Sequence, residues 1–566
     1  MSSTCNHHRN YADRYRHLVC MSSLSPFHPY FGTNYVPNDD EIAQIKSILS
    51  DKEEKLRVLG IELRRIQSLS DEISREVEEH RALVSPLRHL PTDILQEIFV
   101  SCLPATHNST MCNDEAPTLL THVCRAWRDI ALATPQLWQS IHIPVPLNNP
   151  RHLEADEVVN EDYDAFALGI ATKCSNLVAK WLERSGGCPV DISLDEKNTE
   201  FWKDNYCRTF IDAILDVSYR WRNVDICTSA EDMDHFLATV QGSELPSLHS
   251  LSLSLTSDPF RSSVKWTEEE GILNAPRLKE VSFIGVGGNF FKFPINWKYL
   301  TQLTIEDAST SVAGIGIMLR KCKNLVSCRL NVHTRGLRAD QLAEFDKPII
   351  LPSLKRLSIR EWEDDLSHFF TVLEAPYLQH LEYRRSQGWS KECTVLPLLK
   401  RSIIHTFITD GRLLKPEHLL DILRGCPDLK SLSIRPSSTG NVNNRTEKVF
   451  LNDQFLAQLS LPDDHGNYLC PNLQDFECHV GAQFTDDQLA NFIRERRRGL
   501  PGVANLKRVA VSFARLQTGL TLTEIDPTAS LDRIELDIIY FRTPFKSTFF
   551  PRRGLRDTSD TSSHPF

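Results

Sequence analysis

The sequence has no apolar run near the roughly 18 residues a bilayer-spanning helix needs, so no membrane span is expected. It has no CxxC pair, although cysteine occurs 15 times. An odd number of scattered thiols fits a reducing compartment better than a disulfide framework. Basic charge is not in excess: 64 Lys and Arg face 74 Asp and Glu, a net of -10. No nucleic-acid partner is expected, because holding a phosphate backbone needs a basic surface. The phosphate loop GxxxxGKS/T, the zinc motif HExxH and the nucleophile elbow GxSxG are all absent. No catalytic residue, cofactor or metal site is therefore expected. The first twenty residues, MSSTCNHHRNYADRYRHLVC, hold no apolar run of signal-peptide length. The expectation is a cytoplasmic or nuclear chain, where the sequons at Asn108 and Asn444 stay unmodified.

What is present belongs to a globular protein, with 41% hydrophobic and 24% charged residues. A chain of 566 residues exceeds one core, so several domains are expected. Residues 1–37 are polar and aperiodic and read as a disordered tail, as do 541–566. Cys5, His7 and His8 could bind a metal, but no second ligand pair follows at finger spacing. Over 38–85 a heptad pattern takes over. With Ile42 at position a, the a set is Ile42, Leu49, Leu56, Leu63, Ser70, Val77 and Val84. The d set is Ile45, Lys52, Leu59, Ile66, Ile73 and His80, and ten of the thirteen are apolar. This is a coiled-coil signature, and a homodimer through residues 42–84 is one expectation. The other is a single long helix packed on its own chain.

Pro86 ends that run. Next comes LPTDILQEIF at 90–99, with Ile94, Leu95, Ile98 and Phe99 on one helical stripe. A polar loop at 104–117 leads to a helix with Leu119, Leu120, Val123, Trp127, Ile130 and Ala131 on one face. After Pro135, Leu137, Trp138 and Ile141 form a third apolar group. Such a module, about 55 residues, makes a core worth only about 3–5 kcal/mol. Part of its apolar stripe is expected to be covered, by a partner protein or by a neighbouring domain.

Leu90-Pro91-x-Asp93-Ile94-Leu95-x-x-Ile98-Phe99, then Val123-Cys124-Arg125-x-Trp127-Arg128-x-Ile130-Ala131, then Thr134-Pro135-x-Leu137-Trp138, resembles an F-box over residues 86–142. The heptad run ahead of it resembles F-box-like proteins of mushroom-forming fungi. The loop at 104–117 is longer than the compact family pattern. The resemblance implies docking to the Skp-type adaptor of a cullin–RING ubiquitin ligase. The implied adaptor-binding residues are Leu90, Pro91, Ile94, Leu95, Ile98, Phe99, Val123, Cys124, Trp127, Leu137 and Trp138.

An acidic linker at 143–165 precedes a tract, 166–540, that repeats P-x-L-x-x-L-x-L. Examples are LPSLHSLSLSL, LPSLKRLSI and CPDLKSLSI. Anchor leucines fall at 248, 278, 300, 325, 354, 378, 429, 473 and 506, and CPVDISL, RWRNVDI and LPLLKRSIIH look like weaker repeats. Leucine alternating with polar residues predicts strands, and the intervening stretches read as helices. The expected fold class is α plus α/β. A long helix or coiled coil leads into a small all-α F-box, then an α/β leucine-rich-repeat solenoid with its parallel sheet on the concave side. The alternation aims Arg329, Arg360, Arg384 and Arg435 at that face as candidate substrate-binding residues for an acidic or phosphorylated segment. Neutralisation by Glu306 and Glu382 is the competing reading. GVGGNF reads as a turn, Asp364-Asp365 as an exposed charged turn, and Arg494, Arg496, Arg497 and Arg498 as a solvated helix end. The function implied is the substrate-recognition subunit of a cullin–RING ligase, non-catalytic, with an unknown protein substrate. The alternative is a self-associating scaffold that uses the same helices and repeat surface outside any ligase.

Overall fold

The structure, a computed structural model, describes residues 25–145, 161–196, 206–240, 245–256, 264–266, 271–288, 290–306, 312–332, 347–361, 366–385, 394–410, 416–435, 451–479, 482–513 and 534–540. The chain divides into two compact units, Met1–Ile94 and Leu95–Phe566.

The first unit is dominated by α1 (Asp39–Leu83), 45 residues long. Its start is over-determined. The Asn38 side chain accepts from Glu41 N at 2.9 Å, and Glu41 Oε2 accepts from Asn38 N at 2.8 Å, a reciprocal capping box. Asp39, Asp40 and Glu41 face the positive end of the helix dipole. Glu54 with Arg57 and Glu78 with Arg81 form i,i+3 ion pairs at 2.7 Å. The seam leucines Leu49, Leu56 and Leu63 are all exposed. Part of the stretch read as a disordered tail is ordered. Tyr30 stacks on Tyr35 at 4.0 Å, and the Tyr35 hydroxyl donates to Glu41, so residues 25–37 carry local structure. Cys5, His7 and His8 lie outside the described residues.

In the second unit, α2 (Thr92–Ser101) contributes its residues from Leu95 onward. It is followed by α3 (Thr118–Val123) and α4 (Arg125–Leu132). The single helix expected there is broken at Cys124, whose extended backbone (φ -159°) ends α3 and caps α4. The chain then enters a 14-stranded sheet whose strands are all parallel and hydrogen-bonded in sequence order, β8 and β10 excepted. The first strands are β1 (Ser140–Pro144), β2 (Val190–Asp195), β3 (Trp221–Thr228), β4 (Ser250–Leu255), β5 (Glu280–Ile284) and β6 (Gln302–Glu306). Then come β7 (Ser327–Val332), β8 (Ile349–Ile350), β9 (Arg356–Glu361), β10 (Leu373–Glu374) and β11 (His380–Arg385). The last are β12 (Thr406–Asp410), β13 (Ser431–Arg435), β14 (Asp475–Cys478), β15 (Arg508–Phe513) and β16 (Glu535–Tyr540). The short β8 and β10 pair with each other in a separate sheet. Parallel neighbours need crossover connections. The described helices that supply them are α5 (Glu161–Arg184), α6 (Tyr206–Leu215), α7 (Ala230–Thr239), α8 (Val312–Lys321), α9 (Ser367–Val372), α10 (Leu396–Leu399), α11 (Pro416–Arg424), α12 (Asp453–Ser460) and α13 (Asp486–Arg496).

Burial follows the period of two. In β9, Leu357, Ile359 and Glu361 are buried while Ser358 and Arg360 stand on the open face. Each repeat's anchor is buried, including Leu248, Leu300, Leu354 and Leu473. The weak repeat in LPLLKRSIIH holds its anchor as Ile404 and continues into β12. A backbone relay locks the register. From β5 to β15 of the large sheet, one carbonyl ahead of each strand accepts from two consecutive N–H groups of the next repeat. Lys279 and Glu280 donate to His249, Lys355 and Arg356 to Val326, and Lys430 and Ser431 to His405.

A second recurrent device is an arginine that satisfies the open carbonyls at a preceding helix end. Arg220 donates to Leu182 in the last turn of α5 and to Gly186 just past it, and Arg401 to Phe370 and Thr371 in α9. Arg496 donates to Leu459 of α12 at 2.7 Å, to Cys470 at 3.0 Å and to Leu469. This corrects the reading of Arg496 as part of a solvated helix end: it is buried, while Arg494 and Arg498 are exposed. The linker reading also changes at both ends. Ile143 and Pro144 belong to β1, and 161–165 are already helical. The glycines of GVGGNF form a turn, with positive φ at Gly285, Gly287 and Gly288. A Cβ at Gly288 would lie 2.8 Å from the Trp266 ring, so only glycine fits. Asp364 and Asp365 lie outside the described residues.

Candidate functional site

The helical module of the second unit has a buried half and an exposed half. Leu95 and Phe99 point inward from α2, with the Phe99 ring 4.7 Å from that of half-buried Trp127. Leu137 and Trp138 are fully buried, and the Trp138 indole N–H donates to Ala131 O at 2.9 Å. Trp138 also meets Trp181 of α5 edge-on at 4.7 Å, with the Arg184 guanidinium over its ring. Trp181 in turn donates to Ser140 O at the start of β1. The module and the sheet therefore share one core.

This sorts the sequence-derived adaptor residues. Leu95, Phe99, Leu137 and Trp138 are core, since their side chains are already enclosed by their own chain. Ile98 and Val123 are exposed, at 37% and 54%. Cys124 is exposed too, but its Sγ accepts from Trp127 N, so it serves as the N-cap of α4. Leu90 is half-buried, and Pro91 and Ile94 are exposed, all in the first unit. The sequence reading missed the exposure of Leu119 and Leu132. Treating α3 and α4 as one helix had placed Leu119 on one face with Leu120, Val123 and Trp127. The break at Cys124 turns Leu119 and Val123, one turn apart, to solvent together.

The long loop at 104–117 is tied down against the sheet. Asn108 Nδ2 donates to Ser193 Oγ at 3.1 Å, Ser140 Oγ donates to Asn108 Oδ1 at 3.0 Å, and His142 N donates to Ser109 O at 2.8 Å. Between the loop and β2–β4 lies a cleft of about 780 Å³, with Asp191, Ser193, Asp225 and Ser252 on its sheet side.

The four candidate arginines all project from the same face of the sheet. They do not form an open basic ladder. Arg329 lies 3.7 Å from Glu306, Arg384 2.5 Å from Glu382, and Arg435 3.6 Å from Glu477. Arg435 also donates to Ser433 Oγ at 3.0 Å. Arg360 is half-buried and stands beside Arg384 in the register. Carboxylates at neighbouring strand positions give the face alternating charge.

Among the described residues, one cluster has the donor set for a metal. Ligand atoms of Glu196, Cys207 and Asp232, all buried, lie within 4.8 Å of one another. Much of this set is engaged by its own surroundings, although Asp232 Oδ1 has no hydrogen-bond partner among the described residues. Glu196 Oε2 accepts from Thr228 Oγ1 at 2.5 Å and Ser229 N at 2.8 Å, at the N-terminus of α7. Arg208 lies 3.6 Å from Asp232. Burial, then the charge of Glu196, raises the Asp232 carboxyl above its usual range. Burial pushes the Cys207 thiol well above its usual range. The three residues come from three separate segments, so no local spacing marks them in the sequence.

No helix among the described residues is long and apolar enough to cross a membrane. No curated protein matches the chain. Among solved structures, the chain is similar to one described as "Crystal structure of Rad7 and Elc1 complex in yeast", at TM-score 0.34 and 14% identity, over 83% of this chain and 98% of that one. Residues 87–144 match the F-box-like family. The chain thus carries an F-box-like domain whose core runs without interruption into the first strands of a parallel sheet.

Proposed function

We propose that the protein is a non-catalytic substrate receptor of a cullin–RING ubiquitin ligase. The F-box-like domain would dock on the Skp-type adaptor, and the sheet, read as a leucine-rich-repeat-like solenoid, would hold the protein substrate. The observation that carries this reading is the F-box-like match at 87–144 on helices that leave Ile98, Leu119 and Val123 in solvent. Apolar side chains held outward by a rigid core are what a partner surface requires. The substrate surface is the open face of β6–β14. An acidic or phosphorylated segment would compete there with Glu306, Glu382 and Glu477 for Arg329, Arg384 and Arg435. The test is reconstitution of the full chain with a purified Skp-type adaptor. A stable stoichiometric complex, lost when Ile98 and Val123 are both replaced by Asp in a folded protein, supports the reading. Failure of the wild-type chain to bind would overturn it and favour the scaffold alternative.

A further inference from the structure

We propose that α1 is a dimerisation arm, and that two copies of the chain pair through it in parallel and in register over residues 42–84. The inference rests on the first unit alone and does not depend on adaptor binding.

The seam is unpartnered in the described chain. At the a positions, Leu49, Leu56 and Leu63 are exposed by 49%, 68% and 57%. At d, Leu59, Ile66 and Ile73 are exposed by 43%, 49% and 51%. An apolar stripe repeating every seven residues over a 45-residue helix matches a facing helix with the same repeat. A second copy supplies that repeat by construction.

Flanking charges select the orientation. In a parallel pair, a g residue faces the e residue of the next heptad on the partner. Glu41 then faces Lys46, and Glu76 faces Arg81, each twice by symmetry, while no like charges meet across the g–e positions. In the antiparallel arrangement that aligns the helix ends, e faces e and g faces g. Glu41 would then no longer face Lys46, nor Glu76 face Arg81. The polar seam residues select the register. In register, Lys52, Ser70 and His80 each meet themselves, and the lysine stems can carry their charges to the rim. A slip of one heptad would set Lys52 against Ile45 and Leu59, Ser70 against Leu63 and Val77, and His80 against Ile73.

Light scattering on the whole chain at micromolar concentration tests the proposal. The expected mass is twice the 64.6 kDa of the chain. Leu56→Asp with Leu63→Asp should return it to the monomer mass. Arg81→Glu distinguishes the orientations. It sets a second carboxylate against Glu76 in the parallel pair and should weaken the dimer about ten-fold, whereas in the antiparallel one, where positions 76 and 81 do not face each other, it should change association little. Adding Glu76→Arg should restore the parallel dimer. Glu78→Gln controls for loss of the ion pair that Arg81 makes within its own helix. A monomeric wild-type chain at tens of micromolar would overturn the proposal, and unchanged or tighter association of Arg81→Glu would overturn the parallel arrangement.

Discussion

Trp138 and Trp181 meet edge to face, ring centroids 4.7 Å apart at 79°. One belongs to the F-box-like domain and the other to the helix that follows β1. Neither side of this contact has a closed core without the other. Trp138→Ala should therefore cost about 3–5 kcal/mol, and the loss should be felt on both sides. Guanidinium unfolding followed by far-UV circular dichroism and by tryptophan fluorescence should give coincident transitions for the second unit. Separate transitions would contradict a shared core.

Exposure divides the effects of mutation in the same helices. Ile98→Asp or Val123→Asp should leave the melting temperature unchanged and weaken adaptor binding by about 2 kcal/mol each. Phe99→Ala should do the reverse first, costing about 3–5 kcal/mol of stability. Calorimetry and a binding titration on the same samples separate the two.

Arg496 holds three backbone carbonyls and has no described acidic partner. Arg496→Met would leave buried acceptors without donors, at about 1–3 kcal/mol for each one not reached by water. Arg498→Ala, two residues on and exposed, should change stability by no more than about 0.5 kcal/mol. Similar melting temperatures for the two variants would show that the arginine cap is not needed.

The buried Asp232 gives a pH dependence. Its carboxyl is raised in the folded chain, so the neutral form is favoured there relative to the unfolded chain. That contribution is complete below the ordinary carboxyl value of 3.8 and is lost as pH rises through the higher folded value. Asp232→Asn does not titrate. Its stability relative to wild type should therefore improve between about pH 4 and pH 7. A relative stability of Asp232→Asn that stays flat would show that neither form is favoured, and one that falls with rising pH would show that the charged form is.

Most of the sheet was legible because strand and anchor signals are local. In LPSLKRLSI, Leu354, Leu357 and Ile359 announce both the strand and its buried face within one short stretch. The long helix was legible for the same reason, since its heptad pattern is local and Pro86 follows its end. Features that depend on distant chain were not legible. Ser140–Pro144 becomes a strand because β2 lies beside it, not because its own pattern is strong. Cys124 looks like one more residue of a continuous helix, and only its extended backbone reveals the break. Arg496 sits in a basic run that reads as solvated, and the carbonyls that draw it inward come from 459, 469 and 470. At the candidate site, the apolar identities were legible. Which of them face out was not, because that is set by how α2, α3 and α4 pack.

The backbone relay between repeats has a consequence for how this surface could diversify. The connection between the anchors Leu278 and Leu300 is half as long as that between Leu429 and Leu473, yet the same pair of N–H groups meets the same kind of carbonyl after each. Length is absorbed on the side of the crossovers, and the strands arrive in step regardless. Insertions or deletions there can accumulate without moving Arg329, Glu382 or Ser433 relative to one another. The recognition face can thus be edited one side chain at a time, while the opposite side of the molecule drifts freely in length.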